Sequence, residues 1–120
     1  MSHTILVVED EPANLRLISY YLRRQGYSVL EARDGVEALE LVPQFRFDLV
    51  LSDLRMPRMD GVALAQHIVS NAPTPVLLMT AYAADDLDTL SELRVPCLRK
   101  PFMLDQLKSE IQTALHTGDH

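Results

Sequence analysis

The stretch that most constrains this chain is Phe47 to Gly61, Phe-Asp-Leu-Val-Leu-Ser-Asp-Leu-Arg-Met-Pro-Arg-Met-Asp-Gly. Leu49 to Leu51 is an unbroken apolar run, the pattern of a strand covered on both faces rather than one with a wet side. Strands of that kind belong to parallel sheets sandwiched between helices. Asp53 follows the run at once, and Pro57 with Asp60-Gly61 signals a loop and then a helix start. Asp53 is thereby placed at the carboxyl end of a central strand, where open α/β sheets form their ligand crevices. An aspartate that merely caps a helix or closes a turn fits the same local pattern. The weight therefore falls on what the rest of the chain brings to that rim.

The other segments repeat the alternation. Thr4 to Val8 reads as a buried first strand, followed by Glu9, Asp10, Glu11 and Pro12. A proline in the first turn and acids at the positive end of the helix dipole favour a helix there. Leu15, Ile18 and Leu22 continue it at helical spacing, and Gly26 suits its end. Tyr27 to Ala32 predicts a second strand. Asp34 and Glu37 have the spacing of a capping box ahead of a helix through Ala38, Leu39 and Leu41 that ends near Pro43. Asp60 caps a helix through Val62, Leu64 and Ile68, on which His67 is expected to be partly buried rather than metal-bound. Val76 to Met79 is a fourth strand ending at Thr80. A helix is expected over Ala83 to Leu93, on a thin stripe of Leu87, Leu90 and Leu93. Val95 to Arg99 reads as a fifth strand ending at Lys100-Pro101, and the last helix spans Met103 to Leu115. Five strands alternating with five helices predict a flavodoxin-like, doubly wound parallel sheet of order 2-1-3-4-5.

Length and composition set the outer bounds. One hundred and twenty residues suit a single domain over 1–120. With 48% hydrophobic and 23% charged residues the chain is unlike a disordered one. A net charge of -6 argues against a nucleic-acid surface or an anionic membrane surface. The single cysteine, Cys97, precludes an internal disulfide and reads as a plain buried cysteine. With no signal-peptide pattern and no apolar run of membrane-spanning length, a cytoplasmic setting is the expectation.

In a parallel sheet, the ends of four strands bring Glu9, Asp10, Asp53, Thr80 and Lys100 to one rim. Three carboxylates there repel. Two unit charges about 4 Å apart cost roughly 4 kcal/mol at an effective dielectric of 20. A hard divalent cation with oxygen ligands relieves this, and Mg²⁺, which keeps several waters, fits. A carboxylate flanked by Mg²⁺, an ammonium and a hydroxyl is set to attack phosphorus, giving an aspartyl phosphate. The cation and Lys100 would neutralise the transferring group, and Thr80 would donate a hydrogen bond to it.

At this point the chain resembles the receiver domain of two-component response regulators over essentially its whole length. The resemblance rests on Ile5 to Pro12 (Ile-Leu-Val-Val-Glu-Asp-Glu-Pro), Asp53 to Gly61, Met79-Thr80-Ala81 and Lys100-Pro101-Phe102. Each piece is a weak pattern alone, but their order and spacing together are specific. The resemblance implies that Asp53 is the phosphoacceptor, taking its phosphoryl group from a phosphohistidine on a histidine kinase or phosphotransfer protein. It implies Asp10 and Asp53 as direct Mg²⁺ ligands, the backbone carbonyl of Arg55 as a third, and Glu9 acting through water. It implies Thr80 and Lys100 as the pair that grips the phosphoryl oxygens, and a cis Lys100-Pro101 bond. Such a domain phosphorylates itself from its donor and loses the group slowly, rather than acting as a conventional enzyme. It signals to a downstream protein or a fused output domain, as a monomer or a weak phosphorylation-dependent dimer, without touching nucleic acid or membrane itself.

Three features depart from the family pattern. Cys97 stands where the family usually has an aromatic side chain, three places before the lysine, which puts the usual threonine–aromatic coupling in doubt. The segment between Thr80 and Lys100 is short and lacks the common Gly-Ala pair before the fifth strand, so a fourth helix or exit loop that is abbreviated or mobile is expected. Met103 stands where a capping acid often sits, so the last helix is expected to start less firmly. Two rival readings use the same residues. A haloacid-dehalogenase-like phosphatase would want a second acid where Arg55 stands and room for a cap domain. A contact module that has lost phosphorylation would not need the acidic pair with Asp53, Thr80 and Lys100.

Arg55 and Tyr82 lie two residues past Asp53 and Thr80, positions that modulate dephosphorylation in similar proteins. Tyr82 is bulky enough to shield an acyl phosphate from water, so a fairly long-lived phosphoprotein is expected. Tyr82→Ala is then expected to speed phosphate loss several-fold, read as the decay of phosphoprotein after the donor is removed. An unchanged decay rate would rule out shielding.

Overall fold

The computed structural model describes residues 3–54, 61–71, 74–80 and 95–118. Five strands form one parallel sheet in the order β2-β1-β3-β4-β5. They are β1 (Thr4–Val8), β2 (Ser28–Ala32), β3 (Leu49–Asp53), β4 (Val76–Thr80) and β5 (Cys97–Arg99). The described helices are α1 (Pro12–Arg24), α2 (Gly35–Leu41), α3 (Gly61–Asn71) and α4 (Leu104–Gly118). The helix expected over Ala83 to Leu93 lies outside the described residues. No helix among the described residues is long and apolar enough to cross a membrane.

Successive side chains of each strand leave opposite faces of the sheet, and both faces are covered. Ile5, Val7, Leu49, Leu51, Leu77 and Met79 pack with Leu15, Ile18 and Leu22 of α1 and with Leu107 and Ile111 of α4. Leu6, Val8, Val50, Val76 and Leu78 pack with Ala38 of α2 and with Leu64, Ala65 and Ile68 of α3. This two-sided burial explains the unbroken apolar runs. Each buried aliphatic side chain contributes about 1.5–3 kcal/mol, and the strands are fixed so that their carboxyl ends share one rim.

Local chemistry sets the element ends. Gly26 closes α1 with φ +97°, and the N–H groups of Gln25, Gly26 and Tyr27 return to carbonyls of its last turns. Asp34 caps α2, its Oδ1 accepting the Glu37 N–H at 2.8 Å. At the base of the sheet Thr4 N–H donates to Asp48 Oδ2 and Asp48 N–H to the Thr4 carbonyl, each at 2.8 Å. On the outer strand β2, Arg23 Nη2 donates to the Val29 carbonyl at 3.2 Å.

Several expectations shift. β5 begins at Cys97 rather than Val95, because Pro96 has no N–H to donate, although its carbonyl still accepts from Leu78 N–H at 3.0 Å. Cys97 is exposed, not buried. β5 is the outermost strand, and of its three side chains Leu98 alone turns into the core. His67 is exposed on α3, not partly buried. α4 begins firmly despite Met103, because Gln106 Oε1 accepts the Met103 N–H at 2.8 Å, the reaching-back half of a capping box.

Gly26→Ala isolates one of these devices. An added Cβ there would meet nothing within 4 Å, so only the left-handed backbone opposes it. The expected loss is about 1 kcal/mol, read as a lower urea midpoint with an unchanged slope.

Candidate functional site: a carboxylate cup closed by a lysine

The shared rim carries the charged groups, and each arrives by a separate element. Glu9 leaves the end of β1 with its N–H donating to the Ala32 carbonyl of β2 at 3.1 Å. Its side chain is 2% exposed, unusual for a glutamate and tolerated only with partners. Asp10 is the next residue and is exposed. Asp53 ends β3 and Thr80 ends β4, both buried. Lys100 follows β5, with its backbone N–H donating to the Thr80 carbonyl at 2.6 Å. The Lys100-Pro101 peptide is cis, as the resemblance implies.

Lys100 Nζ sits 3.2 Å from Asp53 Oδ2 and 3.3 Å from Glu9 Oε2. The Glu11 N–H also reaches Glu9 Oε1 at 3.3 Å. One carboxylate oxygen from each of Glu9, Asp10 and Asp53 can be chosen so that all lie within 4.8 Å of one another. Three carboxylates thus face one ammonium. Burial, and then the neighbouring Asp53 charge, push the Glu9 carboxyl above the usual carboxylate range, against Lys100 and the Glu11 N–H. For Lys100, burial alone would favour loss of the proton. The charges of Asp53 and Glu9 outweigh it and hold the ammonium above the usual lysine range.

Among the described residues one ammonium faces these three acids, which leaves an excess of negative charge. An oxygen-only donor set of this size and charge suits a hard divalent ion such as Mg²⁺. Glu9 and Asp10 also line a polar cleft of about 360 Å³ together with Arg16, Glu31, Arg33 and Glu37. On the other side Lys100 borders a more apolar groove of about 430 Å³, formed with Leu17, Ile18, Phe102 and Leu104.

The structure therefore brings Glu9, Asp10, Asp53, Thr80 and Lys100 to one rim. Arg55 and Tyr82 lie outside the described residues. Cys97 pairs in register with Leu78, two residues short of Thr80, and is not part of the cup. Sequence reading missed two features. Lys100 bridges Glu9 as well as Asp53, which follows from the burial of Glu9 and is not visible in a string. The hydroxyl of Ser52 donates to the Asp53 carbonyl at 2.9 Å. A serine inside an otherwise apolar strand was the available signal.

A parallel sheet of this order with acids, threonine and lysine at its carboxyl rim defines a class of phosphoryl-handling signalling domains. The sequence profile of the response regulator receiver domain matches residues 5–112, and the chain belongs to that family. It is 40% identical over 117 residues to the transcriptional regulatory protein ZraR of Escherichia coli (strain K12), covering 94% of this chain and 26% of ZraR. It is 43% identical over 110 residues to the sensor histidine kinase RcsC of Salmonella typhimurium, covering 89% of this chain and 12% of RcsC. The chain thus spans about a quarter or less of these relatives. Among solved structures, the receiver domain of a signal transduction histidine kinase from Syntrophus aciditrophicus superposes with TM-score 0.91 at 30% identity, covering 97% of this chain and 92% of that one. Response regulator TrrA from Thermotoga maritima, solved in complex with Mg²⁺-BeF, gives 0.85 at 32% identity, covering 95% and 99%.

The excess negative charge is testable through Asp10. In EDTA, Asp10→Asn removes one of the like charges and is expected to stabilise the protein by about 1 kcal/mol, roughly 4 °C in Tm. Excess MgCl₂ is expected to raise the Tm of the wild type by mass action and to move that of the variant much less. Equal shifts in both proteins would place the cation elsewhere.

Proposed function

We propose that this chain is a single receiver domain over 1–120 that accepts a phosphoryl group on Asp53 from a phosphohistidine of a histidine kinase or phosphotransfer protein, in a cytoplasmic two-component relay. The observation that carries this reading is the Lys100 ammonium held jointly by Asp53 and Glu9 beside the Asp10 carboxylate. Asp10 and Asp53 would ligate Mg²⁺, with Glu9 acting through water and the Arg55 carbonyl as a further ligand. Bound there, the ion supplies the positive charge that lets an anionic phosphoryl group approach an acidic cup.

The residues do the rest. An Asp53 carboxylate oxygen attacks phosphorus as the phosphorus–nitrogen bond of the donor breaks. The electron pair returns to the imidazole, which takes a proton from solvent. Lys100 exchanges its contact with Asp53 for a phosphoryl oxygen without leaving the rim, and the Thr80 hydroxyl donates to another. The product adds about -1.5 to -2 charges and three acceptor oxygens where one carboxylate stood. That change draws Thr80 and Lys100 inward, toward the phosphoryl group. A protein donor reaching Asp53 past Lys100 would rest on the neighbouring groove, where Leu17 is 55% exposed.

Acetyl phosphate with Mg²⁺ is expected to add the mass of one phosphoryl group, and Asp53→Asn to abolish the addition. Leu17→Asp is expected to slow transfer from a phosphohistidine protein about tenfold while sparing the reaction with acetyl phosphate. A wild type that takes up no phosphoryl group, or an Asp53→Asn variant that still does, would overturn the assignment.

A further inference from the structure

We infer that Ser52 is a positioning residue for the phosphorylation site, acting through the peptide unit that follows the Asp53 side chain. The inference rests on Asp53 being the acceptor. The pairing of β3 with β1 ends at Val8 opposite Ser52, whereas its pairing with β4 runs on to Asp53 opposite Met79. The pairing with β1 thus stops one residue short of the pairing with β4. The Asp53–Leu54 peptide unit lies at this frayed corner, and both of its polar groups are taken. Its N–H donates to the Met79 carbonyl at 2.7 Å. Its carbonyl accepts the Ser52 hydroxyl at 2.9 Å, and Ser52 itself is fully buried.

The consequence is geometric. With both ends of the peptide plane tied, it cannot rotate, and the backbone torsion of Asp53 that aims its carboxylate is fixed with it. The same plane launches the chain toward Arg55, whose carbonyl is the proposed third ligand. A hydroxyl that touches neither metal nor phosphorus therefore governs two of the proposed ligands. An apolar side chain at position 52 would suit the burial equally well, but it would leave the carbonyl without this donor in a place closed to water.

Ser52→Ala tests this, with Ser52→Cys as a near-isostere that donates weakly and Ser52→Thr as the variant that keeps the hydroxyl. Ile111→Val, in the core under α4, controls for a general loss of stability. In calorimetric titration with MgCl₂, Ser52→Ala and Ser52→Cys are expected to bind about tenfold more weakly, while Ser52→Thr and Ile111→Val stay near the wild type. Exchange of the Leu54 amide hydrogen is expected to speed up in the Ala and Cys variants alone, and phosphorylation by acetyl phosphate to slow with Mg²⁺ affinity. Wild-type Mg²⁺ affinity and Leu54 protection in Ser52→Ala would overturn the inference, as would an equal loss in Ile111→Val. Should the wild type take no phosphoryl group, the acceptor assignment fails, yet the titration and the Leu54 exchange still judge Ser52.

Discussion

The ammonium of Lys100, lodged between Asp53 and Glu9, is the contact on which the rim depends. Burying Glu9 to 2% exposure is tolerable only because a cation and a backbone N–H meet its carboxylate. Lys100 in turn is delivered by β5, whose last residue pairs with Thr80, and by its own N–H on the Thr80 carbonyl. A single ammonium thus ties the ends of β1, β3 and β5 together, and β4 sets its height. The electrostatics are deliberately incomplete. Among the described residues one lysine faces three acids, and the remaining negative charge suits the cup to a hard divalent cation.

Most of the scaffold was legible because a buried parallel strand leaves a blunt signature. Leu49 to Leu51 and Val76 to Met79 have no polar alternation, so their burial on both faces and their place in the sheet's interior follow directly. Gly26 and Asp34 were equally readable, since a left-handed residue and a helix cap each demand particular chemistry. The site was legible for the same reason: residues that directly end strands of a parallel sheet must share a rim.

What resisted the string was anything decided by neighbours. Cys97 looks like a core residue by composition, but it sits on the outermost strand, where alternate side chains turn away from the core. Met103 looks like a weak helix start, but the remedy lies three residues on, in the Gln106 side chain. The double engagement of Lys100 depends on the depth at which Glu9 is held, and the hydrogen bond of Ser52 on where one ladder stops before another. These are distances between elements, and spacing along the chain does not encode them.

The guanidinium of Arg23 on the Val29 carbonyl carries a different lesson. β2 is the outermost strand on its side, and an unpaired acceptor on such a strand invites a foreign strand to extend the sheet. Here a helix side chain already occupies it. Any association by strand addition along β2 would first have to evict that arginine, so the edge resists aggregation without charge being built into the strand's own buried positions.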